Sequence, residues 1–287
     1  MTIDTAPLRA ALERHPHVAL GHHPTPIDCL ANLGGDLGIT LFAKRDDCNG
    51  LAFGGNKVRQ LEYYMGAAVA AGADTVLVTG AVQSNFVRTT AAAAAKLGLA
   101  AEVQLEDRVA GTDALQQHSG NVLLNEMVGA VVHHFPEGEN EAAADAALDA
   151  RADELSRAGR KPYVIHLGAD HPPTGGLGYA GGAAETLEQW DGPLPDFVLV
   201  PSGSGLTHAG FLVGARAAGW NVPIIGSCVR RESSLQKPRI TARAREIAAL
   251  LGFDALINEA DVIVRDNVLA PGYGQLNDAV AHAIDIA

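Results

Sequence analysis

The strongest constraint in the sequence is a regular alternation of short apolar strands and helical segments. Runs such as "DTVLVTG" (74–80), "DFVLVP" (196–201) and "PIIGSCV" (223–229) are each followed by a turn and a helical pattern. Parallel strands joined by right-handed helical crossovers bury both faces of their sheet. The pattern therefore predicts an α/β fold of mostly parallel sheets with helices on both faces, in three layers.

The segment from residue 61 to residue 168 contains enough strands and helices to form its own sheet. We predict two domains, a larger one from residues 1–60 plus 169–287 and a smaller inserted one from residues 61–168. The length of 287 residues suffices for two cores, and 47% hydrophobic residues argue against disorder. In such folds, ligands bind beyond the carboxyl ends of the strands.

Charge and cysteine content narrow the partners and the compartment. The 21 basic and 33 acidic residues give a net charge of -12, which argues against nucleic acid and anionic membranes as partners. Cys29, Cys48 and Cys228 are isolated thiols, as is typical of a reducing cytoplasm. No signal-peptide pattern and no apolar run of about 20 residues is visible, so we expect a cytoplasmic protein.

The stretch "LAFGGNKVRQLE" (51–62) places Lys57 behind Gly54 and Gly55, just before a predicted helix over Arg59–Ala71. Most loop lysines are solvated surface charges. Glycines, however, accept positive φ and allow a flat ring to approach closely. A lysine amine becomes nucleophilic where desolvation or nearby positive charge favours its neutral form. Lys57 is therefore a candidate nucleophile.

A second loop, "GAVQSNFVR" (80–88), leaves a strand and enters a helix. Ser84 is a predicted N-cap, and the free N–H groups of the first helical turn suit a substrate carboxylate. The alternative is that Ser84 only caps the helix and Asn85 only turns the chain.

A third loop, "PSGSGLTHAG" (201–210), also links a strand to a helix, and its small residues expose several N–H groups. This pattern predicts a phosphate site. It lacks the ending of a Walker A loop, and His208 replaces the third glycine of a dinucleotide fingerprint. A phosphate without a nucleoside is the better ligand. Pyridoxal phosphate (PLP), a phosphorylated aldehyde that reacts with lysine, would use all three loops.

The long stretch "KRDDCNGLAFGGNKVRQLEYYMGAAVAAGADTVLVTGAVQSNFVRTTAAAAAKLGL" closely resembles the D-cysteine desulfhydrase / 1-aminocyclopropane-1-carboxylate (ACC) deaminase family. L-cysteate sulfo-lyase belongs to the same group of fold type II PLP enzymes. "HPPTGGLGY", "SGSGLTHAG" and "PGYG" continue the match in order, from about Pro24 to Gly274. The resemblance implies a fold like that of the tryptophan synthase β subunit.

The resemblance also implies roles for individual residues. Lys57 would bind PLP covalently and move protons at the substrate Cα, and Asn85 would hydrogen-bond the ring hydroxyl of the cofactor. Gln83 and Ser84 would hold the substrate carboxylate, and Tyr273 would line the substrate side of the ring. The phosphate would be bound by four residues of the third loop: Gly203, Ser204, Gly205 and Thr207.

These roles imply a PLP-dependent lyase or deaminase that acts on a small amino acid. β-Elimination of a thiol, sulfite or a similar group would give pyruvate and ammonia. The family also implies a homodimer.

The sequence departs from the family pattern in three ways, and these departures lead to expectations about the site. Phe86 stands where family members usually have a polar residue, often His, so we expect it to flank the substrate pocket. Leu206 stands where a glycine is usual, so we expect a weaker phosphate loop. Family chains continue beyond "GYG" through a further segment, whereas this sequence ends at "DAVAHAIDIA". Together these departures predict weak or altered β-elimination.

The paired histidines His22-His23 and His133-His134 do not predict a metal site. Adjacent residues of a strand point to opposite faces, and neither an HExxH motif nor a cysteine partner accompanies them. We interpret them as polar edge or surface residues and expect no metal among the site residues.

Alternatives from other classes remain open at this point. One is a catalytically impaired PLP-binding homologue that acts as a partner or scaffold. Another is a small-molecule binding module that uses its helix N-termini for an anion without PLP. Within the enzyme class, ACC ring opening, racemisation and ammonia elimination are possible outcomes of the same chemistry.

Overall fold

The computed structural model describes residues 3–109, 113–138, 140–168 and 170–286. Over these residues the strands are β1 Ile27–Cys29, β2 Phe42–Lys44, β3 Thr75–Ala81, β4 Ala100–Glu106, β5 Val131–Phe135, β6 Pro162–Ile165, β7 Val198–Ser202, β8 Ile224–Cys228 and β9 Ile263–Arg265. The helices are α1 Ala6–Leu12, α2 Ala31–Leu37, α3 Lys57–Ala70, α4 Asn85–Leu97, α5 Ala114–His118, α6 Asn121–Met127, α7 Glu141–Arg157, α8 Gly176–Gln189, α9 Leu206–Ala217, α10 Ser233–Leu251 and α11 Asp278–Ile286. Within the described ranges, no helix combines the length and the apolar composition needed to cross a membrane.

The chain folds into two compact units, and each unit is assembled from separate segments. Unit 1 comprises Met1–His15, His22–Asn49 and Pro172–Ala287, and unit 2 comprises Pro16–Gly21 and Gly50–His171. Unit 2 therefore includes Lys57, whereas the sequence-based division ends the first segment of the larger domain at residue 60. The division into functional domains stays a prediction.

Unit 2 contains a four-stranded parallel sheet in the order β5-β4-β3-β6. Its central strand β3 is buried along its whole length, because it pairs on both sides and is covered by helices. The Ala-rich helix α4 packs on β3 and β4. As predicted, α4 follows a Ser84 N-cap and ends at Gly98, whose φ of 72° makes the left-handed C-cap.

A short segment, Pro16–Gly21, also belongs to unit 2 and lies against α3. The N–H of Val18 donates to the carbonyl oxygen of Glu62 at 3.0 Å. The N–H groups of Leu20 and Gly21 donate to Glu62 Oε1 at 3.1 and 3.2 Å. Lys96 Nζ donates to the Leu20 carbonyl at 2.7 Å, and the Leu20 side chain joins the hydrophobic core of unit 2.

Unit 1 contains a three-stranded parallel sheet in the order β7-β8-β9 and a separate antiparallel pair, β1-β2. The predicted parallel character of the sheets is confirmed, with β1-β2 as the exception among the described strands. Helices α8 and α9 approach closely because Gly210 has no side chain. A Cβ at Gly210 would lie only 2.2 Å from the carbonyl oxygen of Gly176.

Candidate functional site

The chain reaches Lys57 through a run of unusual backbone conformations. Four consecutive residues have positive φ: 44° at Ala52, 68° at Phe53, 68° at Gly54 and 110° at Gly55. Positive φ costs little at glycine but about 1–3 kcal/mol at a residue with a side chain. Such strain concentrates at functional sites, where the surrounding structure holds it. We call Ala52–Asn56 the Lys57 loop.

Lys57 is the first residue of α3, which begins two residues earlier than predicted. Its side chain is partly buried. Burial, which disfavours the ammonium, lowers the pKa of Lys57 to about 8. A substantial fraction of the amine is therefore neutral and nucleophilic near pH 8.

The predicted anion site lies at the start of α4. Ser84 Oγ accepts the N–H of Val87 at 3.3 Å, so the predicted capping role is confirmed. The N–H groups of Asn85 and Phe86, in the first turn of α4, have no acceptor within the helix, as in every α-helix. These two N–H groups lie at the positive end of a 13-residue helix.

Asn85 is oriented by two neighbours. Its Oδ1 accepts hydrogen bonds from Arg88 Nη1 at 3.1 Å and from Asn121 Nδ2 at 2.9 Å. Both donors occupy the oxygen, so the NH₂ group of the exposed Asn85 is the end left to donate. An NH₂ group held in this way is a donor for a ring oxygen.

Arg88 links the start of α4 to the Lys57 loop. Its Nη2 donates to the carbonyl oxygen of Gly54 at 3.3 Å, and its Nη1 also donates to Asn121 Oδ1 at 3.1 Å. Burial lowers the pKa of Arg88 below its ordinary value. Arg88 and Asn121 were not foreseen from the sequence, because the contacts of Arg88 with Asn121 and Gly54 join residues more than 30 positions apart along the chain.

The side chain of Gln83 is engaged with the α5–α6 region. Its Nε2 donates to the carbonyl oxygens of Gln116 and Ser119, and its Oε1 accepts the N–H of Asn121 at 2.9 Å. These bonds use both ends of the amide. The predicted contact between Gln83 and a substrate carboxylate remains a prediction, and its side chain is committed elsewhere in this structure.

Phe86 is a core residue. It is 5% exposed, belongs to the hydrophobic core of unit 2 and packs edge to face on Tyr64, with ring centroids 6.1 Å apart. This packing accounts for an apolar side chain at position 86 without any substrate. The position of Phe86 beside the substrate pocket stays a prediction.

In unit 1, the loop between β7 and α9 (Gly203–Gly205) has its carbonyl groups tied to other elements. The buried Gln236 Nε2 donates to the Gly203 carbonyl at 3.0 Å and to Ser202 Oγ at 3.0 Å. Arg239 Nε donates to the Ser204 carbonyl at 3.2 Å. Hydrogen bonds that hold the carbonyls of a tight loop leave its N–H groups for an anion.

Leu206 does not intrude on this loop. Gly205 has a φ of 91° and serves as the N-cap of α9, and Leu206 is the first helical residue, 2% exposed in the core. Small residues therefore form the turn itself, as the phosphate prediction requires, with Thr207 one residue further on. Gln236 and Arg239, which support the turn from α10, were not foreseen from the sequence.

Tyr273 lies in the loop between β9 and α11 and is 37% exposed. Asn277 braces this loop, because its Nδ2 donates to the carbonyl oxygens of Val268 and Ala270 at 3.1 and 2.6 Å. Asn277 Oδ1 also accepts the N–H of Val280 at 2.8 Å. The role of Tyr273 beside a substrate stays a prediction.

The structure thus brings the predicted residues together in two groups. Within unit 2, Arg88 joins the Lys57 loop to Ser84 and Asn85, while Gln83 and Phe86 face other parts of the unit. Within unit 1, Gly203–Gly205 and Thr207 form a supported turn.

Comparison with known proteins identifies the family. A family model described as "Pyridoxal-phosphate dependent enzyme" matches residues 18–283. The ACC deaminase of Burkholderia vietnamiensis (strain G4 / LMG 22486) is 40% identical over 278 residues, which cover 95% of this chain and 82% of that protein. The D-cysteine desulfhydrase of Salmonella typhi is 38% identical over 276 residues, covering 96% and 82%.

A solved structure of an ACC deaminase homologue superposes with a TM-score of 0.84 at 32% identity, covering 97% of this chain and 81% of that one. The chain belongs to the pyridoxal-phosphate dependent enzyme family, within the group of ACC deaminases and D-cysteine desulfhydrases. Its fold is that of the fold type II PLP enzymes, its cofactor is PLP, and it is a PLP-dependent lyase or deaminase.

Proposed function

We propose that this enzyme acts on a small amino acid and eliminates a thiol, sulfite or similar group from Cβ, giving pyruvate and ammonia. The observation that carries the proposal is the low pKa of Lys57, about 8, at a strained loop that Arg88 ties to the start of α4. ACC ring opening is the second candidate, because a relative named as an ACC deaminase is 40% identical to this chain.

The reactive side of PLP is assigned to residues of unit 2. When bound, PLP withdraws electrons from the substrate Cα and so makes its proton acidic. The amine of Lys57 is the proposed covalent attachment point and the group that moves the proton at Cα. The Asn85 NH₂ group, fixed by its two bonds at Oδ1, is the proposed donor to the ring hydroxyl.

The substrate carboxylate is assigned to the start of α4. The Ser84 hydroxyl and the first N–H groups of the helix are donors, and the helix dipole adds a favourable field. Charge-assisted hydrogen bonds of this kind are stronger than neutral ones and fix orientation. A carboxylate held there would keep the Cα of the substrate in one position during proton transfer.

The cofactor phosphate is assigned to Gly203, Ser204, Gly205 and Thr207 of unit 1. The support for this assignment is that Gln236 and Arg239 hold the loop carbonyls. The family resemblance assigns Tyr273 to the substrate side of the ring and predicts a homodimer, which sedimentation of the purified chain would test.

Spectroscopy of the purified 287-residue chain tests the cofactor assignment. We expect visible absorbance that borohydride removes by fixing PLP to the protein. Lys57→Ala should lose this absorbance and all turnover, while Lys161→Ala, a change at an exposed lysine of the same unit, should keep both. A borohydride-reducible adduct at the same site in Lys57→Ala would show that another residue binds PLP.

Product assays test the reaction. β-Elimination predicts pyruvate from D-cysteine or L-cysteate, whereas ACC ring opening predicts ammonia and a four-carbon 2-oxo acid. The rates also test the expectation that β-elimination is weak. A protein that binds PLP normally and releases neither oxo acid would instead be a catalytically impaired homologue.

A further inference from the structure

Five ionisable side chains, none of them assigned above, meet near the carboxyl end of β6. Asp145 and Asp149 are one turn apart on α7, and His166, Asp170 and His171 follow β6. One donor atom from each of Asp145, His166 and His171 lies within 4.8 Å of the other two. The three side chains are partly buried, with exposures of 16%, 14% and 32%.

Both ring nitrogens of His166 face carboxylates. Its Nε2 lies 3.0 Å from Asp149 Oδ1. A neutral imidazole that donates from Nε2 carries its lone pair on Nδ1. This Nδ1 is buried, makes no hydrogen bond to a described residue, and lies 3.5 Å from Asp145 Oδ1. A lone pair facing a carboxylate oxygen is unfavourable unless a cation or a proton lies between them.

The surroundings carry an excess of negative charge, which attracts a cation. The rings of His166 and His171 are stacked, with centroids 3.9 Å apart and an interplanar angle of 9°. Two imidazolium ions at this distance would repel each other. Three carboxylates, those of Asp145, Asp149 and Asp170, then surround the pair.

Gly168 allows the carboxylates to come this close. A Cβ at Gly168 would lie 2.7 Å from Asp170 Oδ1 and 2.9 Å from Asp145 Oδ2. Any larger residue would push one of the two carboxylates away. The absence of a side chain at this position therefore concentrates negative charge beside the two histidines.

We propose that Asp145, His166 and His171 bind a divalent transition-metal ion such as Zn²⁺, with Asp149 orienting His166 from behind. Imidazole nitrogen and carboxylate oxygen are ligands that zinc prefers, and a ligating histidine usually donates its second N–H to a carboxylate. The two bound rings turn from face-to-face stacking so that their nitrogens point at the ion. Because zinc–ligand distances are about 2.0–2.2 Å, the donor atoms draw together slightly on binding.

The ion would join α7 to residues 166–171, the last residues of unit 2. Its proposed role is to stabilise this end of the unit. This site is independent of the proposed reaction, since it contains none of the residues assigned to PLP or substrate. The expectation of no metal concerned His22-His23 and His133-His134. Asp145, His166 and His171 are separated along the chain and match no short motif.

Calorimetric titration of the PLP-loaded 287-residue protein with Zn²⁺ tests the site. We expect one equivalent to bind and to raise the thermal midpoint. His171→Ala and Asp145→Asn should weaken this binding at least a hundredfold, and Asp149→Asn about tenfold. Retained PLP absorbance shows that each variant is folded.

Two matched variants act as controls. His133, which pairs with Glu102 at 2.7 Å, and Asp153, an exposed residue of α7, lie outside the cluster. His133→Ala and Asp153→Asn should therefore bind Zn²⁺ as the wild type does. Binding that survives both His171→Ala and Asp145→Asn would place zinc elsewhere, for example on the exposed thiols Cys29 and Cys48, and would overturn the proposal. Failure of the wild type to bind would show that the cluster is an ion-pair network without a metal.

Discussion

The Arg88 guanidinium donates a 3.1 Å hydrogen bond from Nη1 to Asn85 Oδ1. Through Nη2 the same guanidinium donates to the Gly54 carbonyl at 3.3 Å. One side chain thus fixes both the amide proposed to hold the cofactor ring and the loop that leads to Lys57. Arg88 is a positioning residue, because its effect on the reaction would pass through these two neighbours.

Arg88→Met should lower kcat/KM by about 10- to 100-fold, since hydrogen bonds to charged groups contribute about 1.5–3 kcal/mol. Arg88→Lys should recover only part of this loss, because an ammonium cannot reproduce the planar fork of donors. Steady-state assays and PLP titration measure the effect. Arg157→Met, a change at an exposed arginine of α7, is the control. Wild-type kcat/KM in Arg88→Met would argue against the positioning role.

The pKa of Lys57 predicts how PLP uptake depends on pH. Burial lowers this pKa to about 8, so the fraction of neutral amine rises about tenfold per pH unit up to pH 8 and then levels off. Absorbance can be used to measure covalent PLP attachment to the cofactor-free protein at pH values between about 6 and 10. The extent of attachment should follow the fraction of neutral amine. PLP attachment to N-acetyl-lysine, measured in parallel, should increase with pH up to about pH 10.4. A protein midpoint close to that of the model amine would contradict the prediction.

Gly203→Asp should weaken PLP binding by at least about tenfold, or roughly 1.4 kcal/mol. The new carboxylate would repel the phosphate, while its Cβ would meet only Val229 Cγ2, at 3.3 Å. Fluorescence titration of the cofactor-free protein measures the change. Gly35→Asp on α2, where a Cβ meets no atom within 4 Å, adds the same charge elsewhere. Equal PLP affinity in the two variants would remove the support for the phosphate loop.

His208, on the first turn of α9, predicts an acid sensitivity. The side chain is fully buried, and burial lowers its pKa to about 4. The unfolded chain binds a proton near pH 6.5 while the folded chain stays neutral. Stability is therefore lost as the pH falls from about 6.5 towards 4, by up to about 1.4 kcal/mol per pH unit.

Urea unfolding at about pH 7, 6 and 5 measures this loss. His208→Leu should flatten the pH dependence relative to the wild type. His134→Leu, a change at an exposed histidine of β5, should leave the pH dependence nearly as it is. An unchanged slope in His208→Leu would mean that other groups cause the acid sensitivity.

Features governed by local rules were predictable from the sequence. The Ser84 N-cap and the Gly98 C-cap of α4 follow from short-range hydrogen bonding and from the tolerance of glycine for positive φ. The buried strand β3 follows from its uninterrupted apolar run, and the parallel sheets follow from the alternation of strands and helices.

Features created by distant contacts were not predictable in this way. Arg88 meets Gly54 and Asn121 only after the fold brings three separate segments together. Phe86 was interpreted through its neighbours in sequence, whereas its partner in space is Tyr64. The cluster around His166 likewise depends on the packing of α7 beside β6. One sequence contains no signal for such pairs, because each partner is ordinary in its own segment.

The short segment Pro16–Gly21 has a consequence for the history and handling of the gene. The backbone passes between the two units after residues 15, 21, 49 and 171, so neither unit is encoded by one continuous stretch. A fragment starting at Gly50 would lack the backbone that bonds to Glu62 and Lys96 and would expose the core surface that Leu20 covers. Recombination could not exchange unit 2 alone as one continuous gene segment. Its two parts, Pro16–Gly21 and Gly50–His171, must be inherited or co-expressed together.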